Sequence, residues 1–429
     1  MKILVVGQSF GFGPAAEVLN VIHYLENIVP KEQQELEFSY WCNPAMLNLN
    51  DKSLLDNNPD ESFFQYSMRK KEILDIDLVI SSYDPEAVIW SWWNDIPVIY
   101  YNGIASLCEM NVPNISLINN LLVDFKELKE ENNVDTLLKL LDKISIENFH
   151  ILVVAAMKLA SEMFVRNGPN LKMNGHYPTN TKVISTLIPM IQNPPKTLHL
   201  EKPFIYISMS GSIAPVIPFE KNMQFVESAL KFFIDLARKP EFSLYNFVFS
   251  CNQKIYDNLD KRGLPINFHL LGALKPSESA WMLKNSKIIM ASPGYTTIHE
   301  AAFFKTPLFF IPEQNGSQPI SYYLLKQNGY PCQPSLVTLG ETILAREFNE
   351  EIENLYEEAL KLFKFENQKL TNQFINEVHY YLQNEDLLTQ RGIIQHTTIK
   401  EIFGGYNGTK DLANGIMSFL NGMNRKVLA

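Results

Sequence analysis

Short unbroken apolar runs alternate along this chain with longer stretches in which apolar residues recur at helical spacing. Apolar runs without polar alternation are what parallel strands buried on both faces show, and their alternation with helices marks βαβ units. Lys2 to Gly7 predicts a first buried strand, and Ala15 to Leu25 a helix with Val18, Leu19, Ile22 and Leu25 on one face. Asp77 to Ser81 and Ile96 to Tyr101 predict two further strands. Residues 130 to 165 carry helical periodicity, a short strand is expected from Lys182 to Leu187, and Pro189 to Pro203 holds four prolines, as a stiff connection would. The alternation then resumes with a strand in the stretch Phe204 to Ser212, helix Met223 to Ala237, strand Tyr245 to Cys251 and a strand entering Gly272. Helical patterns return from Asn349 to Gln383 and near Lys410 to Leu420, after Gly404-Gly405.

The stretch from Lys287 to Gln318 compresses a whole βαβ unit. Ile288 to Ala291 reads as a buried strand, Ser292-Pro293-Gly294 as a sharp turn, and Thr296 and Thr297 as N-cap candidates. A helix through Ile298, Glu300, Ala301 and Phe304 ends near Lys305 to Pro307, and Leu308 to Ile311 forms the next strand before Pro312. Open α/β sheets bind ligands at the carboxyl ends of their strands, and a helix N-terminus there offers free N–H groups and a positive dipole end. That placement suits a nucleotide diphosphate.

The 429 residues fit two domains of about 200 each. Hydrophobic residues make up 46%, ordinary for a globular protein, while a net charge of −10 without a dense Lys/Arg block excludes a nucleic-acid backbone as the main partner. The N-terminal apolar run is too short for a signal peptide and no run is long enough for a transmembrane segment, so a cytoplasmic protein is expected. Cys42, Cys108, Cys251 and Cys332 are spaced for neither a metal site nor a disulfide framework. Asp75-Ile-Asp77 is formally a DxD motif but precedes a strand instead of following one, so no metal is expected.

The order Gly294, Thr297, Glu300-Ala301, Pro307, Pro312, Gln318 resembles the donor signature of GT-B glycosyltransferases, the group of the UDP-glycosyltransferases, the macrolide glycosyltransferases and MurG. The resemblance implies an α/β fold of two Rossmann-like doubly wound domains facing each other: an acceptor domain over 1–190, a linker over 191–203, a nucleotide-sugar domain over 204–400, and a C-terminal helix over 401–429 packing back on the first. It assigns the donor diphosphate to Gly211, Ser212, Ser292, Gly294, Tyr295, Thr296 and Thr297, and the ribose to Glu300. The base falls to main-chain groups of Gly272, Ala273 and Leu274, and the sugar to Asn315, Ser317 and Gln318. Ser292 stands where many members carry histidine, and Ser317 where an acid usually precedes the final glutamine.

In the first half, Gly7 to Pro14 places three glycines on the first strand-to-helix connection. In the resembling family this loop faces the acceptor and often carries a histidine base; here Gly11 stands about where that histidine would be. Gly11, Phe12, Gly13 and Asn102 become acceptor candidates, and Asp84 and Glu17 the candidate bases, with Asp84 also readable as a helix cap before Pro85. The aromatic group from Trp90 to Trp93 with Tyr100 and Tyr101 reads more readily as core than as a stacking surface.

The implied activity is metal-independent hexosyl transfer from a nucleotide sugar, UDP-linked, to a small-molecule acceptor such as a natural product or nucleobase. No further cofactor is expected, and a homodimer is left open. Two alternatives stand beside it. A nucleotide-sugar 2-epimerase shares the fold, although its glutamate follows the glycines more closely than Glu300 follows Gly294. A non-catalytic sugar-nucleotide-binding protein would explain the missing histidine.

Overall fold

A computed structural model describes residues 1–7, 13–28, 36–41, 63–64, 67, 75–105, 115–169, 171, 177–190, 193–196, 198–209, 218–339 and 357–427. Parallel strands cannot be joined by tight turns, so each needs a crossover, and the helical stretches between the apolar runs supply it. The chain forms two compact units, the first built from Met1–Ser9, Pro14–Leu187 and Phe403–Ala429, the second from Phe10–Gly13 and Ile188–Ile402.

The first unit contains strands β1 (Lys2–Gly7), β2 (Glu37–Trp41), β3 (Leu78–Ser82), β4 (Val98–Asn102), β5 (Glu162–Arg166) and β6 (Lys182–Ile184). All pair in parallel in the order β2-β1-β3-β4-β5-β6. Its helices are α1 (Gly13–Ile28), α2 (Pro85–Trp93), α3 (Ile115–Glu130) and α4 (Val134–Leu159). Two strands differ from expectation: β2 had no counterpart in the reading of the sequence, and β5 interrupts a stretch whose periodicity looked helical to residue 165. Only Ala160 and Ser161 separate α4 from β5, and neither is a breaker. The aromatic group is core, with Trp90, Tyr100 and Tyr101 fully buried.

The second unit holds β7 (Phe204–Met209), β8 (Asn246–Cys251), β9 (Phe268–Leu271), β10 (Ile288–Ala291) and β11 (Leu308–Phe310), all parallel in the order β11-β10-β7-β8-β9. The helices continue with α5 (Phe219–Ala237), α6 (Gln253–Asn258), α7 (Pro276–Asn285), α8 (Tyr295–Phe304), α9 (Ser317–Gln327), α10 (Gln368–Gln383) and α11 (Glu385–Phe403). Helix α5 buries Phe225, Val226, Ala229, Phe232, Phe233 and Leu236 at helical spacing, and they pack on Ile205, Ile207, Met209, Phe247 and Phe249 from one face of the sheet. The last helix, α12 (Gly408–Val427), belongs to the first unit, where Gly408 N–H donates to Thr186 O at 3.1 Å and Asn407 N–H to Ser185 Oγ at 2.9 Å. Cys251 and Cys332 are free thiols in the core, and burial pushes Cys251 up to about 12. Cys42 and Cys108 lie outside the described residues.

Arg391 ties α11 to the edge of the second sheet. Its buried guanidinium donates to the carbonyls of Leu308, Pro331 and Gln333, the last two at 2.7 and 2.6 Å, and lies 4.3 Å from the Phe309 ring centre. Beside it Gly392 meets the chain so closely that a Cβ would stand 2.0 Å from the Lys305 carbonyl oxygen. Arg391→Met strands the Pro331 and Gln333 carbonyls, which a thioether cannot satisfy, at about 1–3 kcal/mol each, while Leu308 O keeps Gln395 Nε2 as a donor. The expected result in urea unfolding is a loss of about 2 kcal/mol or more.

Candidate functional site

The order of the second sheet fixes where a ligand can enter. From β7 the chain builds outward to β8 and β9, then returns to place β10 and β11 on the other side. The crossovers on either side of the β7/β10 pair run opposite ways, so a crevice opens at the carboxyl ends of these two strands. The chain leaves β10 there through Ser292-Pro293-Gly294, and α8 starts at once.

The N-cap of α8 is Gly294, not Thr296 or Thr297, which fall in the first helical turn. Gly294 has φ −83°, and a Cβ there would meet nothing closer than Gln318 Nε2 at 3.8 Å. Neither backbone strain nor crowding within the chain demands glycine here. Residues Gly294, Tyr295, Thr296 and Thr297 are partly exposed, and the N–H groups of a first helical turn have no intrahelical partners. The buried Ser292 hydroxyl donates to Pro312 O at 2.6 Å and ties the turn after β10 to the one after β11.

Glu300 lies farther along α8 and is buried. Gln318, at the start of α9, is buried as well; its Oε1 accepts from Gln314 N–H while its Nε2 reaches toward Gly294. The structure thus brings together Gly294 and Gln318, with Thr297 and Glu300 farther along the same helix as Gly294. Asn315 and Ser317 bond chiefly to each other, Oγ to Oδ1 at 2.7 Å. Glu313, which the sequence reading passed over, is fully buried and accepts from Thr338 N–H and Oγ1–H and from Leu339 N–H. Its signal was an acid directly after Pro312, and its work is to anchor the loop beyond Pro334. Gly272, Ala273 and Leu274 follow β9 half-buried, with Ala273 N–H donating to Gln253 Oε1 at 3.3 Å. Gly211 and Ser212 lie outside the described residues, as do Gly11 and Phe12.

The carboxyl ends of the first sheet are arranged differently. Glu17 on α1 is buried, and its Oε1 accepts from Arg166 Nη1 at 2.6 Å. Tyr101 sits beside this pair; burial first, then the Glu17 charge, raises its phenol well above the ordinary range. Asn102 was expected to face an acceptor but is fully buried, its Oδ1 accepting from Ile104 N–H and its Nδ2 directed to Met157 Sδ. Gly13 is the first residue of α1. Asp84 caps α2, accepting from Ala87 N–H at 3.0 Å, and Tyr83 before it takes φ 57°, a left-handed conformation that costs a non-glycine residue about 1–2 kcal/mol. Burial pushes the Asp84 carboxyl up to about 6, against the lowering effect of backbone hydrogen bonds from Ala87 and Glu86. Among the described residues no three His, Cys, Asp or Glu side chains converge as metal ligands would, and no helix is long and apolar enough to cross a membrane.

Two parallel-stranded α/β units of this topology make the GT-B fold. No protein-family model matches the sequence, nor does any curated protein. Solved structures do match in fold over nearly their whole length. MnaA of S. aureus in complex with UDP shares 15% identity at a TM-score of 0.52, covering 98% of this chain and 97% of that one. The spinosyn rhamnosyltransferase SpnG, complexed with thymidine diphosphate, shares 11% at 0.51, covering 97% and 100%. The glycotransferase of kitacinnamycin shares 13% at 0.50, covering 97% and 98%.

The Asp84 carboxyl makes stability depend on pH in a defined direction. Its folded pKa of about 6 lies above the unfolded value of about 3.9, so between those values the native state keeps a proton that the unfolded chain releases. This group's contribution therefore falls as pH rises from about 4 to about 6 and is level above. Asp84→Asn keeps an oxygen for Ala87 N–H and should remove that slope while leaving stability at pH 7 equal or higher, as read by urea unfolding across the window.

Proposed function

We propose that this protein is a glycosyltransferase that binds a nucleoside-diphosphate sugar in its second unit and passes the glycosyl group to a small-molecule acceptor. The observation that carries the reading is the arrangement at the β7/β10 switch point: a helix N-terminus without a side-chain cap at Gly294, where a Cβ would meet nothing closer than 3.8 Å, the buried Gln318 amide beside it, and the buried Glu300 carboxylate farther along the same helix. A diphosphate needs the helix N-terminus and its glycine: dipole and N–H groups favour negative charge, and a bare Cα lets phosphate oxygens come close. A pair of vicinal hydroxyls on ribose needs an acceptor such as Glu300, and the Gln318 amide beside Gly294 can both donate and accept toward a sugar. Charge building on the leaving diphosphate is stabilised by the same helix N-terminus, so the reaction on this reading needs no metal.

Asp84 is the better candidate for a base that takes the acceptor proton. A carboxyl raised to about 6 is matched to proton transfer near neutral pH. Glu17 is held by Arg166 in a buried pair, and breaking such a pair costs about 3–5 kcal/mol. On this reading Asp84→Asn keeps nucleotide affinity and loses roughly 10²–10⁴ in turnover.

Thermal shifts with UDP-, dTDP-, GDP- and CMP-sugars test the donor class, since a ligand at a hundred times its Kd adds roughly 2.7 kcal/mol of stability. Absence of stabilisation by all of them would sink the proposal. With a stabilising nucleotide in hand, Glu300→Ala is expected to weaken it at least about tenfold with the fold intact. Release of sugar from the donor, even by slow hydrolysis, separates an enzyme from a binding protein, and turnover that persists in excess EDTA is the expected result for metal-independent transfer.

A further inference from the structure

The first sheet has a switch point of its own. From β1 the chain builds β2 on one side and then returns to place β3 and β4 on the other, so a crevice is expected at the carboxyl ends of β1 and β3, where Gly7 and Ser82 are register partners. The chain leaves β3 there through a turn that local preference opposes. Tyr83 holds φ 57°, and a bulky residue with positive φ persists only where its surroundings over-determine it. Three contacts do so. Tyr83 N–H donates to Tyr101 O at 2.9 Å, its ring meets that of Phe149 edge-on at 6.0 Å between centres, and the Ser81 hydroxyl donates across the turn to Asp84 O at 2.8 Å. Of residues 81–85 only Asp84 is partly exposed. The strained turn therefore leaves one carboxylate accessible beside the switch point.

Ser81 is the unusual member of this set. It is fully buried, and its register partners are Val6 on β1 and Tyr100 on β4, both in the apolar core on that face of the sheet. Packing alone would be served by alanine, and a buried hydroxyl is costly unless it is bonded. The carbonyl it bonds belongs to the residue that caps α2, so the hydroxyl holds Asp84 by its main chain while Ala87 N–H holds its Oδ1. We propose that Ser81 is a positioning residue for Asp84: it closes the left-handed turn and so fixes the carboxylate where an acceptor hydroxyl, or water in its place, gives up its proton. In that step the proton passes to Asp84 as the acceptor oxygen bonds the anomeric carbon, and the bond from that carbon to the diphosphate breaks with its electron pair leaving on the diphosphate. The inference rests on the assignment of Asp84 as the base and adds to it the device that holds the base in place.

The test is the hydrolysis of UDP-glucose, dTDP-glucose and GDP-mannose, with water in place of the acceptor, read as kcat and KM. Ser81→Ala should lower kcat about tenfold or more with KM for the donor unchanged, since misplacing a reacting group by about 1 Å can cost 10²-fold. Placed in the Asp84→Asn background it should cost nothing further, because a residue that acts through Asp84 has no effect once the base is gone. Ser81→Thr, which keeps the hydroxyl, should retain the turnover. An unchanged kcat in folded Ser81→Ala, or a loss that multiplies with that of Asp84→Asn, overturns the proposal; if Ser81→Ala does not fold, Ser81→Cys, whose thiol is a weaker donor, decides by the same criterion. Undiminished turnover in Asp84→Asn removes the base assignment and the proposal together, as does a wild type that hydrolyses none of the three donors. A slow Asp84→Asn beside a Ser81→Ala at full rate removes the proposal alone.

Discussion

The reversal of winding at β7 is the constraint on which the second unit depends. A parallel sheet must carry its connections over its faces, and a chain that extends first to one side and then to the other must leave a gap where the two directions part. Everything of chemical interest there follows from that gap. The helix after β10 begins beside it. Ser292 and Glu313 hold the adjoining turns in place through carbonyl and amide partners.

The two sheets end differently. In the first unit several carboxyl-end polar groups have partners within it: Glu17 with Arg166, Asn102 with Ile104, Asp84 with Ala87. Such internal pairing settles the cost of burying charge and amide groups and leaves them restrained. In the second unit Gly294 to Thr297 stay partly exposed. Desolvation has also been put to different uses. It raises Asp84 into a range useful for proton exchange and removes Cys251 from thiolate chemistry altogether.

Most of the fold was legible because parallel strands announce themselves as unbroken apolar runs, and the run from Ile288 to Ala291 with its Pro-Gly turn was the clearest. β5 was hidden because it follows α4 without glycine or proline, so two periodicities merged. The turn after β10 could be read because its residues are close in sequence. Long-range pairing could not: Glu17 and Arg166 are 149 positions apart, and nothing local says that they meet. The Tyr206–Ser250 hydrogen bond was hidden for a related reason, since both look like ordinary strand residues until the register shows that they share one face.

The first unit is discontinuous in sequence, since Gly405 and Gly408 bond to Thr186 and α12 follows directly. Gly415 lies so close to the Phe164 ring on β5 that only a residue without a side chain fits. During synthesis the second unit therefore emerges whole while the first still lacks its last helix. Strand β6, at the edge of its sheet with Val183 exposed, keeps that flank incomplete until the chain returns to it. The second unit is thus free to finish folding earlier, although the first starts earlier, and the return of α12 is what lets the earlier-made part close.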